Sequence, residues 1–157
     1  MFTQTYHSPI GILTLHANTE ALTAIVFDEL PVLQQDSTPI LEETIAELEA
    51  YFAGKLKQFS VPLQPKGTTF QLKVWDALQQ IVWGQVSSYS QLAMQLGDIK
   101  AIRAVGTANG RNPIPIIIPC HRVIGSTGEL VGYSGGLWRK EWLLQHEGLR
   151  AKNIFGV

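Results

Sequence analysis

The 157-residue chain is 45% hydrophobic and 16% charged, which supplies a core for one ordinary domain or two small lobes and excludes a disordered tail. Its longest apolar stretches run a handful of residues, as at Ile114–Ile118, against the roughly 20 needed to span a membrane; its N-terminus lacks the basic and apolar blocks of a signal peptide; and its single cysteine, Cys120, excludes an internal disulfide and a multi-cysteine zinc site, so a soluble protein of the reducing cytoplasm is expected. The net charge of −1 hides an asymmetry, because residues 1–64 carry two lysines against eight acids and residues 65–157 carry ten Lys/Arg against five acids; a polyanion partner or simply two differently charged surfaces would both account for it.

The first thirty residues predict strands at Ile10–Ala17 and Leu22–Phe27, rich in Ile, Leu, Val and Thr, with Asn18 at the turn of an antiparallel meander. A helix follows, with Thr38 as cap, Pro39 in its first turn and Gly54 at its end. Leu41, Ile45, Leu48 and Phe52 give it one apolar stripe and leave Glu42, Glu43, Glu47 and Glu49 mainly on the wet face. A short strand is expected at Phe59–Leu63, and Pro62, Pro65 and Gly67 close the lobe.

A second lobe opens with a helix from about Thr69 to Trp83, its inner face being Phe70, Val74, Ala77, Leu78 and Ile81. Ser88 and Gln91 have capping-box spacing for a short helix to Leu96. Gly97-Asp98 makes a turn, and Asp98 caps a further helix to about Asn109-Gly110. Helix, short turn, helix is a helix-turn-helix pattern, which any αα-hairpin also shows. On the second helix Ile99, Ile102 and Gly106 are expected to pack inward, Lys100, Arg103 and Thr107 to form a cationic stripe, and Ala101, Ala104 and Ala108 a smooth one. Such a face suits a DNA groove, and a plain solvated face on a core helix accounts for these residues somewhat better.

From Asn112 to Val123 the chain reads Asn-Pro-Ile-Pro-Ile-Ile-Ile-Pro-Cys-His-Arg-Val. Three prolines among β-branched residues exclude a helix and predict a rigid, extended, buried segment that delivers Cys120 beside His121 and Arg122. A lone apolar-flanked cysteine is ordinarily an inert thiol. Neighbouring His and Arg lower a thiol pKa and favour a reactive one. Downstream, Gly132-Tyr133-Ser134-Gly135-Gly136 is a small-residue loop that either approaches a planar ligand or is a surface turn. Leu137–His146 predicts a final helix, and Glu147 is either an ordinary helix-end acid or the group that orients His121. His7, His16, His121 and His146 have no metal-ligand spacing with the one cysteine.

Pro119-Cys120-His121-Arg122-Val123, with Asn112-Pro113 and Arg103-Ala104-Val105-Gly106 before it and Gly132–Gly136 and Lys140 after it, resembles the O6-alkylguanine-DNA alkyltransferases, also called methylated-DNA–protein-cysteine methyltransferases. Ser88–Ala93 and Phe70-Gln71 extend the match over residues 69–149, and residues 1–64 are similar to the family's variable lobe more loosely. The resemblance implies an α+β fold: residues 1–65 as an N-terminal α/β, ribonuclease-H-like lobe, an antiparallel sheet with a helix, and residues 66–157 as a mostly helical, winged-helix-like lobe with the helix-turn-helix and the cysteine.

It also implies single-turnover repair of double-stranded DNA, in which the alkyl group of a flipped-out O6-alkylguanine passes irreversibly to Cys120, with O4-alkylthymine as a second candidate substrate. In that scheme His121 takes the thiol proton through a water, Glu147 orients His121, Asn112 holds the active-site turn, and Tyr89 or Ser134 protonates the leaving purine. Val123, Tyr133 and Ser134 line the pocket; Tyr89, Ser90, Arg103 and Ser126 meet the DNA, with Arg103 filling the space of the extruded base. No cofactor, no metal, no membrane and no obligate protein partner is expected, and a monomer is. Without an N-terminal cysteine the zinc site and phosphotriester acceptor of some relatives are absent, and Trp83 stands where many members have proline. Three other classes are weighed: a non-catalytic alkyltransferase-like damage binder, which would have replaced the cysteine; a Cys–His hydrolase, for which no oxyanion-hole signature is present; and a plain transcription factor, which leaves the proline-rich cysteine segment unexplained.

Overall fold

The computed structural model describes residues 1–149. The described chain divides into two compact units, one of Met1–Lys66 with Pro113–Pro115, the other of Gly67–Asn112 with residues 116–149. No helix among the described residues is long and apolar enough to cross a membrane.

In the first unit, β1 (Phe2–Ser8), β2 (Gly11–Ala17) and β3 (Leu22–Asp28) form an antiparallel meander in the order β1-β2-β3. Register runs from Phe2 opposite Ala17 to Ser8 opposite Gly11, and from Ile12 opposite Asp28 to Ala17 opposite Leu22. Asn18 makes the expected turn, its Oδ1 accepting from the N–H groups of Glu20 and Ala21 at 2.8 Å each. β1 is a strand the sequence did not disclose. The expected strand at Phe59–Leu63 reduces to one isolated parallel bridge between Leu22 and Leu63, because Pro62 can donate nothing to a ladder.

Helix α1 (Pro39–Phe52) is capped by Thr38, whose side chain accepts from Leu41 N–H. Its buried stripe is Leu41, Thr44, Leu48 and Tyr51, with Ile45 and Phe52 only half-buried. The buried Thr44 hydroxyl donates to the Ile40 carbonyl at 2.7 Å, so its burial leaves no donor unpaired. Glu47 is not a wet-face residue either: its carboxylate accepts from the N–H groups of Ser60 and Val61 at 3.0 Å. Leu13, Leu15, Leu22, Leu41, Leu48 and Tyr51 are fully enclosed, each such leucine contributing about 1.5–3 kcal/mol of burial.

In the second unit, α2 (Thr69–Leu78) starts from a complete capping box between Thr68 and Gln71. It ends at Leu78, five residues before the expected Trp83. Its buried face is Val74, Trp75, Ala77 and Leu78, and Phe70 lies at the surface, 36% exposed. The Trp75 indole N–H donates to the Ala108 carbonyl at 2.8 Å. After the two-residue β4 (Ser87–Ser88), α3 (Tyr89–Gln95) begins with the expected Ser88–Gln91 capping box. Gly97 turns the chain at a φ of +87°, where glycine is favoured. Asp98 caps a 3₁₀ turn (Ile99–Ala101), and α4 (Ile102–Gly110) follows.

That 3₁₀ turn changes the faces of α4. The inward residues are Val105, Ala108 and Asn109, while Ile99 and Ile102 are 50% and 39% exposed. The outer face of α4 is Ile102, Arg103, Ala104, Thr107 and Gly110; the expected alanine stripe is broken, because Ala108 is buried. β5 (Val123–Ile124) pairs parallel with β4, and α5 (Leu137–His146) closes the unit with Lys140, Leu143 and Leu144 inward.

Candidate active site

The proline-rich segment is not extended. It runs as turns and bends, and Ile116 turns it at a φ of +75°, a conformation that costs a β-branched residue about 1–3 kcal/mol. Ile116 is 1% exposed and Ile118 fully buried. Cys120 N–H closes on the Ile118 carbonyl at 2.8 Å, and Cys120–Arg122 form a single 3₁₀ turn leading into β5. Asn112 Nδ2 ties the segment together by donating to the Ile118 carbonyl at 2.7 Å, and the Asn112 side chain also hydrogen-bonds the Cys120 thiol. Asn109 Nδ2 donates to the Cys120 carbonyl at 3.4 Å.

Cys120 is 3% exposed. Burial pushes its thiol up to about 11, with the Asn112 hydrogen bond and the Lys140 charge opposing. The lowered thiol pKa expected from His121 and Arg122 is therefore not found at rest, and the sulfur is held protonated. Arg122 faces elsewhere: its Nε and Nη2 donate to Glu147 Oε1 and Oε2 at 2.7 and 3.0 Å, and its Nη1 to the Ile81 carbonyl at 2.5 Å.

His121 and Glu147 meet at 2.8 Å, Nε2 to Oε2, with both side chains fully enclosed. Burial alone would raise the Glu147 carboxyl, but His121 and Arg122 together hold it down at about 2. The carboxylate is thus ionised and must accept, which puts the imidazole proton on Nε2 and leaves the lone pair on Nδ1. Burial, with the Arg122 and Lys140 charges, lowers the imidazole pKa against the opposing pull of Glu147, so His121 is neutral. Nδ1 is buried with no hydrogen-bond partner among the described residues. A neutral imidazole with a fixed tautomer and a free lone pair, next in sequence to a protonated thiol, is equipped to take a proton.

Two tyrosines sit in the electrostatic surroundings of Cys120. Tyr89, the first residue of α3, donates its hydroxyl to the Val131 carbonyl at 3.0 Å; Tyr133 has a buried hydroxyl. Burial first, and the sulfur second, push both phenols up, so both keep their protons. Val123 is fully buried in β5, opposite Ser87. Ser126 and Ser134 lie exposed on loops, Arg103 lies exposed on α4, and Ser90 is half-buried with its hydroxyl 3.0 Å from that of Ser88. Cys120, His121, Glu147 and Asn112 are thus brought together, with Tyr89 and Tyr133 close enough to feel the sulfur, whereas the two serines and Arg103 stand at the surface.

Lys140 received no role from the sequence beyond its place in a motif. It is fully buried, and its Nζ donates to the Val131 and Gly132 carbonyls at 2.9 and 3.3 Å. A signal existed: Lys140, Leu143, Leu144 and Glu147 recur at i, i+3, i+4 and i+7, which places one charged residue on the buried stripe of α5 and a second at its C-cap.

Comparison with known proteins finds relatives along nearly the whole described chain. Residues 69–149 match the family model described as 6-O-methylguanine DNA methyltransferase, DNA binding domain, and residues 1–65 match its ribonuclease-like domain. A methylated-DNA–protein-cysteine methyltransferase of Methanosarcina acetivorans is 46% identical over 154 residues, covering 94% of this chain and 99% of the relative. One from Mycobacterium tuberculosis is 46% identical over 158 residues, covering 94% and 93%. Among solved structures, M. tuberculosis OGT in complex with DNA superposes with a TM-score of 0.87 at 42% identity, covering 99% of each chain. The M. tuberculosis O6-methylguanine methyltransferase gives 0.84 at 44% identity, covering 93% and 92%. With a matching model over each part of the sequence and relatives this similar along nearly their full length, the chain belongs to the 6-O-methylguanine DNA methyltransferase family.

Proposed function

We propose that this protein repairs DNA by direct reversal, moving the alkyl group of O6-alkylguanine onto its own Cys120, once per molecule. The observation that carries this reading is the enclosed His121–Glu147–Arg122 cluster directly following the buried Cys120 in sequence, within a segment that matches a DNA-binding domain. M. tuberculosis OGT, 42% identical, forms a complex with DNA, and this chain takes double-stranded DNA as its partner.

The transfer is a displacement at the alkyl carbon. The bond from Cys120 Sγ to that carbon forms as the bond from carbon to guanine O6 breaks. His121 Nδ1 receives the thiol proton, relayed by a water, and Glu147 stabilises the imidazolium that results. Guanine leaves with negative charge at its ring and takes back one proton, so the sum is thioether plus guanine. Tyr89 supplies the hydrogen bond to the purine as that charge develops, which requires its hydroxyl to release the Val131 carbonyl. Asn112 holds the 118–120 turn, and Val123, Tyr133 and Ser134 line the purine site. A base inside a duplex cannot reach a buried sulfur, so the nucleotide is extruded at a cost of a few kcal/mol. Arg103 on the outer face of α4 fills the gap, and Ser90 and Ser126 meet the backbone. The thioether has no route back to a thiol, so the protein is consumed; it acts as a monomer in the cytoplasm.

Mass spectrometry tests this. After mixing with duplex DNA containing O6-methylguanine, the peptide holding Cys120 gains the mass of one CH₂, and the yield stops at one equivalent. Turnover beyond one equivalent, or label on another residue, overturns the reading.

A further inference from the structure

The carbonyl oxygen of Val131 accepts from two side chains at once: Tyr89 Oη from α3 at 3.0 Å and Lys140 Nζ from α5 at 2.9 Å. Lys140 also reaches Gly132 O. No carboxylate among the described residues forms an ion pair with it; the two ion pairs near this site both belong to Glu147. A fully buried ammonium with carbonyl oxygens as its partners has an expensive, uncompensated charge, and a neutral donor would staple the loop at lower cost. The titratable group whose charge Lys140 meets is Cys120. The groups around that sulfur are Asn112, Tyr89 on α3, Tyr133 on the loop and Lys140 on α5, with the His121–Glu147–Arg122 cluster beside them. Lys140 is the cation among those acting on Cys120.

We propose that Lys140 is a positioning residue for the transfer: it holds the Val131–Gly132 backbone as a fixed wall when Tyr89 leaves Val131 for the substrate, and its charge faces the sulfur as negative charge builds there. This rests on the alkyl-transfer reading above. It assigns the two halves of one shared acceptor different fates, Tyr89 exchanging and Lys140 staying. It also explains why a lysine occupies a position where burial, only partly offset by Cys120, lowers its pKa to about 8.

The test uses the full chain and free O6-benzylguanine, a probe that needs no DNA contact, alongside iodoacetamide as a reporter of thiolate. Lys140→Gln keeps a donor and removes the charge; Lys140→Met removes both. In Lys140→Gln the rate with O6-benzylguanine at pH 7 is expected to fall about tenfold, with the pH profile of iodoacetamide labelling moved upward. In Lys140→Met the loss is larger. Wild-type rates and an unmoved profile in Lys140→Gln overturn the charge role, and equal rates for Lys140→Gln and Lys140→Met overturn the wall. Should thermal melting show both neutral variants unfolded, Lys140→Arg decides: it keeps charge and donors and is expected to hold the wild-type profile, and an upward move overturns the proposal. Failure of the wild-type protein itself to react would instead sink the alkyl-transfer reading.

Discussion

Arg122 grips the same carboxylate that orients His121. Both Glu147 oxygens are used, Oε1 by Arg122 Nε at 2.7 Å, and Oε2 by Arg122 Nη2 at 3.0 Å and His121 Nε2 at 2.8 Å. A bidentate guanidinium fixes the plane of the carboxylate, and that plane fixes the imidazole. The residue next to the histidine therefore acts on it through a residue 25 positions further along the chain.

Glu147→Gln keeps the shape and removes the charge. It leaves Arg122 buried without its counterion, which costs about 3–5 kcal/mol, and it no longer dictates the imidazole tautomer. The variant is expected to melt well below wild type and, where folded, to transfer alkyl groups about a hundredfold or more slowly. Acid stability changes with it. Glu147 is held at about 2 when folded, from an ordinary 4.5, so its contribution is complete above about pH 4.5 and is lost as pH falls toward 2. Denaturant unfolding from pH 6 to pH 2 should show this limb in wild type and a flatter one in Glu147→Gln. A variant with wild-type stability and rate would remove Glu147 from the relay.

The thiol sets a second pH signature. With Cys120 held up to about 11, iodoacetamide labelling without DNA is expected to be slow at pH 7 and to rise about tenfold per pH unit toward that value. Alkyl transfer from DNA should be much flatter between pH 6 and 9, because in the proposed mechanism neutral His121 takes the proton in the same step. Stopped-flow measurement of both reactions over one pH series checks this. Parallel profiles would mean that a pre-formed thiolate, and not His121, drives the transfer.

Local chemistry made part of this legible. Thr38 and the Ser88–Gln91 box announced their helices because caps act over three or four residues. The faces of α4 were misread from Ile99 because the 3₁₀ turn advances at 3.0 residues per turn, so that a 3.6-residue stripe started there arrives out of phase. β1 escaped because Thr3, Gln4, Thr5 and His7 carry no apolar alternation on a half-exposed edge strand. Adjacency in sequence sets both His121 and Arg122 beside the thiol, although a 3₁₀ turn sends neighbouring side chains apart. The buried role of Lys140 depended on acceptors in Val131 and Gly132, and backbone carbonyls leave no trace in composition.

Two glycines of the second unit predict opposite outcomes. A Cβ on Gly67 would stand 2.5 Å from Trp75 Cη2 and 2.7 Å from Gln71 Oε1. Trp75 is 2% exposed and pinned through its indole N–H, and Gln71 belongs to the cap of α2. Gly67→Ala is expected to destabilise by about 1–3 kcal/mol. A Cβ on Gly106, inside α4, would first meet the Tyr89 ring at an ordinary 3.8 Å, so Gly106→Ala should stabilise by about 0.5–1 kcal/mol through helix propensity. Thermal melts of the two variants check the packing around Trp75; the same sign for both would contradict it.

Arg103 separates reaching the base from reacting with it. It stands exposed on α4 between the exposed Ile102 and Ala104, and the cysteine cluster does not include it. Removing an exposed cation that contacts DNA should weaken binding and lower the salt dependence of the binding constant by about one ion. Arg103→Ala is therefore expected to transfer slowly from duplex DNA, most of all where the damaged base is firmly stacked. It should keep the wild-type rate with free O6-benzylguanine, for which nothing need be extruded. Cys120→Ser gives the complementary result, no transfer from either substrate and near-normal DNA binding. Binding titrations at several salt concentrations and single-turnover rates with both substrates test the pair. An equal loss on both substrates in Arg103→Ala would place this residue's effect in the site and not on the stack.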